Sequence, residues 1–419
     1  MRRAAAGAGP AVRPGSASRA GAFRTDIQGL RALAIAMVVC FHLWPTRLSG
    51  GFVGVDVFFV VSGFLITSHL LRSQPTTSRD LASFWVRRIR RLLPAALTVI
   101  VTVLLATWAF APVPQWRKTG IQAVSSAVYL QNWQLAPGSS IHGDPHPTAL
   151  QHYWSLSVEE QFYLVWPILI LLCVRYGRRR GVSPLPAVRL AIGTLAIASI
   201  AFSVWFTRNH PAPAYFVTPT RMWELAAGGL TAALVPALLE RIPERSLAFL
   251  RIAAVWVGFA AIAFAARNYH AGHTPVPEST VPVIGAALII AADRPVGFTP
   301  NALLRARPVQ YLGDISYSMY LWHWPLIVLV PMATGQQLGN WSSLGVVAGA
   351  LVLAGLTKRQ IEDRFRHSRQ RRSLIIPCRW AVAGMAGVAL LGGLEIVGAA
   401  AVGNTANAQV AHVRVVSQR

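Results

Sequence analysis

The sequence predicts an all-α protein, a polytopic membrane helical bundle of about eleven transmembrane helices, on three observations. First, 54% of the 419 residues are hydrophobic and 13% are charged, against roughly 25% charged in a soluble domain. Second, the apolar residues gather into long runs separated by short polar stretches. Third, the net charge of +24 sits in arginine clusters between those runs and not in one stripe. That pattern points to loops on one side of a bilayer and away from nucleic acid. Cys40, Cys173 and Cys378 are too few for a disulfide framework, and two of them lie in apolar runs.

Residues 1–23 are dominated by Ala, Gly, Pro, Ser and Arg and are expected to form a disordered cytoplasmic tail, without the apolar core of a cleavable signal. Apolar segments follow at 30–45, 53–71, 93–111, 158–174, 188–206, 221–239, 252–268, 281–293, 310–331, 342–357 and 380–402. Several are shorter than ~20 residues, which inner helices tolerate because they face protein and not lipid. Charge decides the ambiguous stretch 119–135. If it does not span and the N-terminus is cytoplasmic, the basic clusters at 72–91, 175–189, 241–251, 294–307 and 358–379 all fall inside. The stretch is therefore expected to be re-entrant or to lie on the outer face. The regions expected are the tail 1–23, a membrane domain 24–372, an additional transmembrane helix 373–402 and a short extracytoplasmic tail 403–419. No internal repeat is visible, which weakens a transporter built on repeats.

Arg31 and His42 are eleven residues apart, close to three helical turns, so they share one face ~16 Å apart along the axis. A charge and an imidazole on one face of a membrane helix belong in the bundle or a wet cavity. His42 alone reads equally as a general base or as an interfacial histidine beside Trp44. Asp56 enters an apolar run, where a carboxylate needs a partner or a helix N-terminal dipole. Gly54 and Gly63 in the same run permit close helix approach. Arg87, Arg88, Arg90 and Arg91 flank Ile89, a grouping that clamps phosphates or grips anionic headgroups.

The richest run is His152-Tyr153-Trp154-Ser155-Leu156-Ser157-Val158-Glu159-Glu160-Gln161-Phe162-Tyr163. Adjacent carboxylates point about 100° apart, so only one of Glu159 and Glu160 is expected to face the bundle. Glu159 and Tyr163 share a face, and a carboxylate beside His42 would orient its ring. Arg221 and Glu224 open a later run, and Ser316, Tyr320 and His323 place hydroxyls and an imidazole within another. His270 and His273 show no metal-ligand spacing. There is no phosphate-binding loop, nucleophile elbow or zinc spacing either, so no metal is expected.

Taken together, the runs 23–71, 84–94, 129–133, 152–167, 215–229, 311–325 and 361–365 resemble acyltransferase family 3, the integral membrane O-acyltransferases, across residues 23–366. The resemblance implies a bacterial inner-membrane enzyme that moves an acyl group, usually acetyl, from cytosolic acyl-CoA as co-substrate to a hydroxyl. The implied acceptor is a sugar of a cell-surface glycan, glycolipid or glycosylated metabolite. The resemblance makes His42 the catalytic residue, paired with Arg31. It puts the family's Arg-x-x-Arg element on Arg87/Arg90 or Arg88/Arg91 and its acid on Glu159. The further site candidates are Asp56, Asn132, Trp154, Ser155, Gln161, Tyr163, Ser316, Tyr320 and His323. Tyr163, Ser316 or Gln161 is expected to donate to the developing oxyanion. The family core has ten helices, which makes 380–402 an appendage. An extracytoplasmic esterase-like domain found in some members is not expected, so any acyl handover there would need a separate extracytoplasmic partner. The rival reading is a transporter or flippase of a glycolipid or small metabolite that uses Asp56, Glu159 and Glu224 for proton coupling.

Overall fold

A computed structural model describes residues 24–137, 147–270, 276–293, 299–366 and 374–417. The tail expected at 1–23, and His273, lie outside the described residues. All regular structure among the described residues is helical. In chain order the α-helices are α1 Thr25–Leu43, α2 Gly54–Ser73, α3 Ser78–Phe110, α4 Val113–Ala127, α5 Gln131–Leu135, α6 Tyr153–Arg180, α7 Leu185–Asn209, α8 Pro211–Ala214 and α9 Thr218–Leu239. They continue with α10 Glu244–Asn268, α11 Thr280–Ala291, α12 Asn301–Leu304, α13 Arg307–Asp314, α14 Ser316–Thr334, α15 Asn340–Thr357, α16 Asp363–Arg366 and α17 Ile375–Ser417. A π-helical turn, Lys358–Glu362, joins α15 to α16.

The protein is a polytopic helical membrane protein. Nine helices among the described residues are long and apolar enough to cross a membrane. Two of the expected spans take a different form. The run 281–293 becomes the twelve-residue α11. The run 310–331 breaks at Ile315 into α13 and α14, and Asp314 at the break reaches Lys358 at 3.2 Å. The segment expected as a tail after 402 continues as helix to Ser417.

Local chemistry sets several ends. Thr77 and Asp80 form a reciprocal capping box at the start of α3, with the Asp80 amide donating to Thr77 Oγ1 and the Thr77 amide to Asp80 Oδ2. α6 stops at Gly181, whose φ of 65° is left-handed. The crossing of α2 and α9 is closer than side chains allow. A methyl group at Gly63 would overlap the Leu225 carbonyl, and one at Gly228 would overlap that of Val60.

The stretch 119–135 forms most of α4 and all of α5. α4 runs antiparallel to α17, with Gly120 against Gly392 and Trp116 beside Gly398. It buries Gln115, Thr119, Gln122 and Ser126, so its inner face is polar. The main core is shared by α1, α2, α3, α6 and α14, through residues such as Ile35, Phe59, Val99, Tyr153 and Leu321. Those five helices also supply most of the site.

Candidate active site

α1, α2, α3, α6 and α14 enclose a cavity of about 140 Å³. Arg31, Arg88 and Arg91 line it, with Ser62, Glu159, Glu160, Tyr163, Ser316 and Tyr320. Both adjacent carboxylates therefore face the cavity, where only one was expected. They differ in partner. Glu160 takes Arg88, at 3.3 Å. Glu159 accepts hydrogen bonds from Ser62 Oγ and Tyr163 OH. The Arg88 guanidinium also lies 3.2 Å from the centroid of the Tyr163 ring, a cation–π contact. Ser316 Oγ is buried and has no hydrogen-bond partner among the described residues.

Arg88 and Arg91 line the cavity, whereas Arg87 and Arg90 do not. Arg87 and Arg90 line a neighbouring recess of about 540 Å³ with Arg91 and Arg366. Arg91 lines both spaces. Among the described residues no carboxylate lines the recess, so it suits an anion with several phosphate oxygens.

His42 lies at the opposite end of α1 from Arg31. Its ring stacks on His323 with centroids 5.3 Å apart and packs on Trp324 at 4.6 Å. His42 Nδ1 is 3.3 Å from His323 Nε2, and His323 Nδ1 is 2.7 Å from the Tyr320 carbonyl. A carbonyl only accepts, so His323 Nδ1 carries the proton and its Nε2 is the acceptor. His42 Nδ1 then donates to His323, which leaves a lone pair on His42 Nε2. His152 completes the group, with its ring centroid 5.6 Å from that of His323. Burial, reinforced by His323 and His42, holds the His152 imidazole well below its ordinary pKa.

The expected pairing of Glu159 with His42 takes another form. Glu159 is two turns along α6 from His152, a rise of ~10 Å, and bonds Ser62 and Tyr163. The imidazole that contacts His42 is His323. Tyr320 stands between the two ends. It lines the cavity, meets Ser155 Oγ at 2.7 Å, donates to the His152 carbonyl at 2.9 Å, and its ring is 5.2 Å from His323.

Other candidates do different work. Gln161 Nε2 donates to the Tyr129 carbonyl and Asn132 Oδ1, both at 2.9 Å, while Asn132 Nδ2 donates to the Phe216 carbonyl at 3.0 Å. This clamp ties α5 to α6 and to the start of α9, and it engages both the amide nitrogen and the amide oxygen of Gln161. Trp154 packs on Tyr215 and beneath Arg221. Asp56 pairs with Arg221, which also reaches Glu224 at 3.2 Å. That buried triad lies outside the cavity lining. Ser62, His152 and Arg366 were not foreseen as site residues. Nothing in the spacing of one helix reveals them, because each acts across a helix contact.

The acyltransferase domain family matches residues 24–359. The chain is 32% identical over 350 residues to the peptidoglycan O-acetyltransferase OatA of Listeria monocytogenes, covering 81% of this chain and 55% of that protein. It is 33% identical over 322 residues to the O-acetyltransferase OatA of Staphylococcus aureus, covering 73% of this chain and 50% of that protein. The chain thus spans about half the length of the curated relatives it matches. No solved structure matches it.

Proposed function

The chain belongs to the acyltransferase domain family, and on that premise we propose that it transfers an acetyl group from cytosolic acyl-CoA to a hydroxyl of a cell-envelope glycan such as peptidoglycan. The observation that carries this reading is a cavity lined by Arg91, Arg88, Glu159 and Tyr320, with His323 bonded to the Tyr320 carbonyl on one side and to His42 on the other. One end is built for phosphate and the other for proton transfer.

In this reading the arginine-rich end faces the cytoplasm. Arg87, Arg90, Arg91 and Arg366 hold the donor's phosphates by charge and fork geometry. Arg88 and Arg31 line the path that the thioester follows. Glu159 and Glu160 keep those cations fixed, and Ser316 offers its hydroxyl to the donor's stem. At the other end His42 Nε2 removes the proton from the acceptor hydroxyl as that oxygen attacks the thioester carbonyl. The C–S bond breaks, and His42 returns the proton to the departing thiolate. His323 holds the His42 tautomer throughout. The same lone pair is the nucleophile in a covalent route through acyl-His42. The placement of Asp56 and Glu224 on a shared Arg221 weighs against the transporter reading, which needs them exchangeable.

The test is to supply radiolabelled acetyl-CoA to the cytoplasmic face of inverted membrane vesicles and count label in the recovered glycan. Label in the wild type that disappears in His42→Ala at equal protein level is the expected result. A wild type that transfers no label contradicts the donor assignment.

A further inference from the structure

At the arginine-rich end, on the flank away from the cavity, α3 and α17 border a groove of about 510 Å³. Its walls include Leu93, Leu97, Ile361, Phe365, Pro377 and Trp380. Trp380 is 72% exposed and Phe365 49%, so the groove opens outward to the lipid phase. Among the described residues its one charged lining residue is Arg90, which also lines the basic recess with Arg87 and Arg366. Among the described residues neither space has a carboxylate in its lining. The result is an apolar slot of acyl-chain character that ends on a cluster of guanidinium groups. α17 lies beyond the residues that match the family, so one wall of this site comes from the chain's additional helix.

We propose that the groove is a binding site for an anionic phospholipid, with one acyl chain laid between α3 and α17 and the phosphate held by Arg90, supported by Arg87 and Arg366. The apolar walls alone confer no preference, because any membrane lipid presents the same tail. Discrimination comes from the head: each arginine near an anionic headgroup raises its local occupancy roughly fivefold over a zwitterionic one, and salt weakens the effect. A lipid seated here borders the recess assigned to donor phosphates and shares Arg87, Arg90 and Arg366 with it. The inference itself does not depend on acyl transfer, and its test uses neither donor nor acceptor.

Trp380 is a built-in reporter. The full chain is placed in nanodiscs of phosphatidylcholine containing a small fraction of lipid with brominated acyl chains, which quench nearby tryptophan. The Trp380 share of the quenching is the difference between wild type and Trp380→Phe. The expected result is half-maximal quenching of that share at a mole fraction of brominated phosphatidylglycerol at least roughly fivefold lower than of brominated phosphatidylcholine, the effect of a single arginine. The preference should collapse in Arg90→Gln with Arg366→Gln and shrink at high salt. Coincident wild-type curves for the two lipids overturn the proposal, and that comparison needs no arginine variant to fold. A preference that survives the double substitution overturns the assignment of the headgroup to these arginines.

Discussion

His323 Nε2 faces His42 Nδ1 at 3.3 Å, while His323 Nδ1 is fixed on the Tyr320 carbonyl at 2.7 Å. The second contact decides the direction of the first, and so decides which nitrogen of His42 is basic. In the proposed mechanism His323 is therefore a positioning residue for His42. Substitution by Leu removes the acceptor and should lower kcat by about 100-fold with little change in donor KM. Substitution by Gln supplies a carbonyl oxygen as acceptor and should retain more activity than Leu. Steady-state kinetics on the two variants checks this, and equal rates would contradict the tautomer argument.

The two arginine pairs should respond differently to charge-conserving change. Arg88 stacks on Tyr163 and bonds Glu160, which a lysine cannot reproduce. Arg87 lines an open recess, where a point charge serves nearly as well. Arg88→Lys is expected to raise donor KM by roughly tenfold, and Arg87→Lys by about twofold or less. Binding isotherms with a non-hydrolysable donor analogue read the difference.

Arg221 is paired with two buried carboxylates, Asp56 and Glu224. Arg221→Met strands both and should destabilise the fold by about 3–5 kcal/mol. Asp56→Asn leaves Arg221 with Glu224 and should cost less. Thermal unfolding in detergent gives the order, and a less stable Asp56→Asn would reverse it.

His152 predicts an acid-side loss of stability. Its folded pKa lies below the unfolded value of about 6.5. Above that value the ring is neutral in both states and contributes no slope. As pH falls below it, the unfolded chain takes up a proton that the folded chain refuses, and stability declines. His152→Gln should flatten the part of the melting-temperature fall between about pH 6.5 and 5 that this ring causes. Melting curves of wild type and variant at both ends of that window measure it, and an identical acid slope in the two would rule the effect out.

What was legible in the sequence divides along a physical line. Helices written as long apolar runs, such as α2 and α10, were recoverable because burial in lipid demands them. The break at Ile315 was not, because its companions lie elsewhere in the chain, as with Asp314 and Lys358. The common face of Arg31 and His42 followed from helical period alone. The partners of Glu159 and Glu160 did not, since they depend on how α2, α3 and α6 cross. His42 and His323 are 281 positions apart, and no local pattern links them. The Arg-x-x-Arg register was ambiguous for the same reason: the doubled arginines are equivalent until α3 is rotated against its neighbours.

In the proposed mechanism His42 performs the chemistry while the arginines hold the donor. This division of roles is tested most directly by measuring donor binding and CoA release on one purified sample in nanodiscs, for wild type and His42→Ala. The expected result is an unchanged Kd for the donor with CoA release at least about 100-fold slower. Release at the wild-type rate in His42→Ala would contradict the claim.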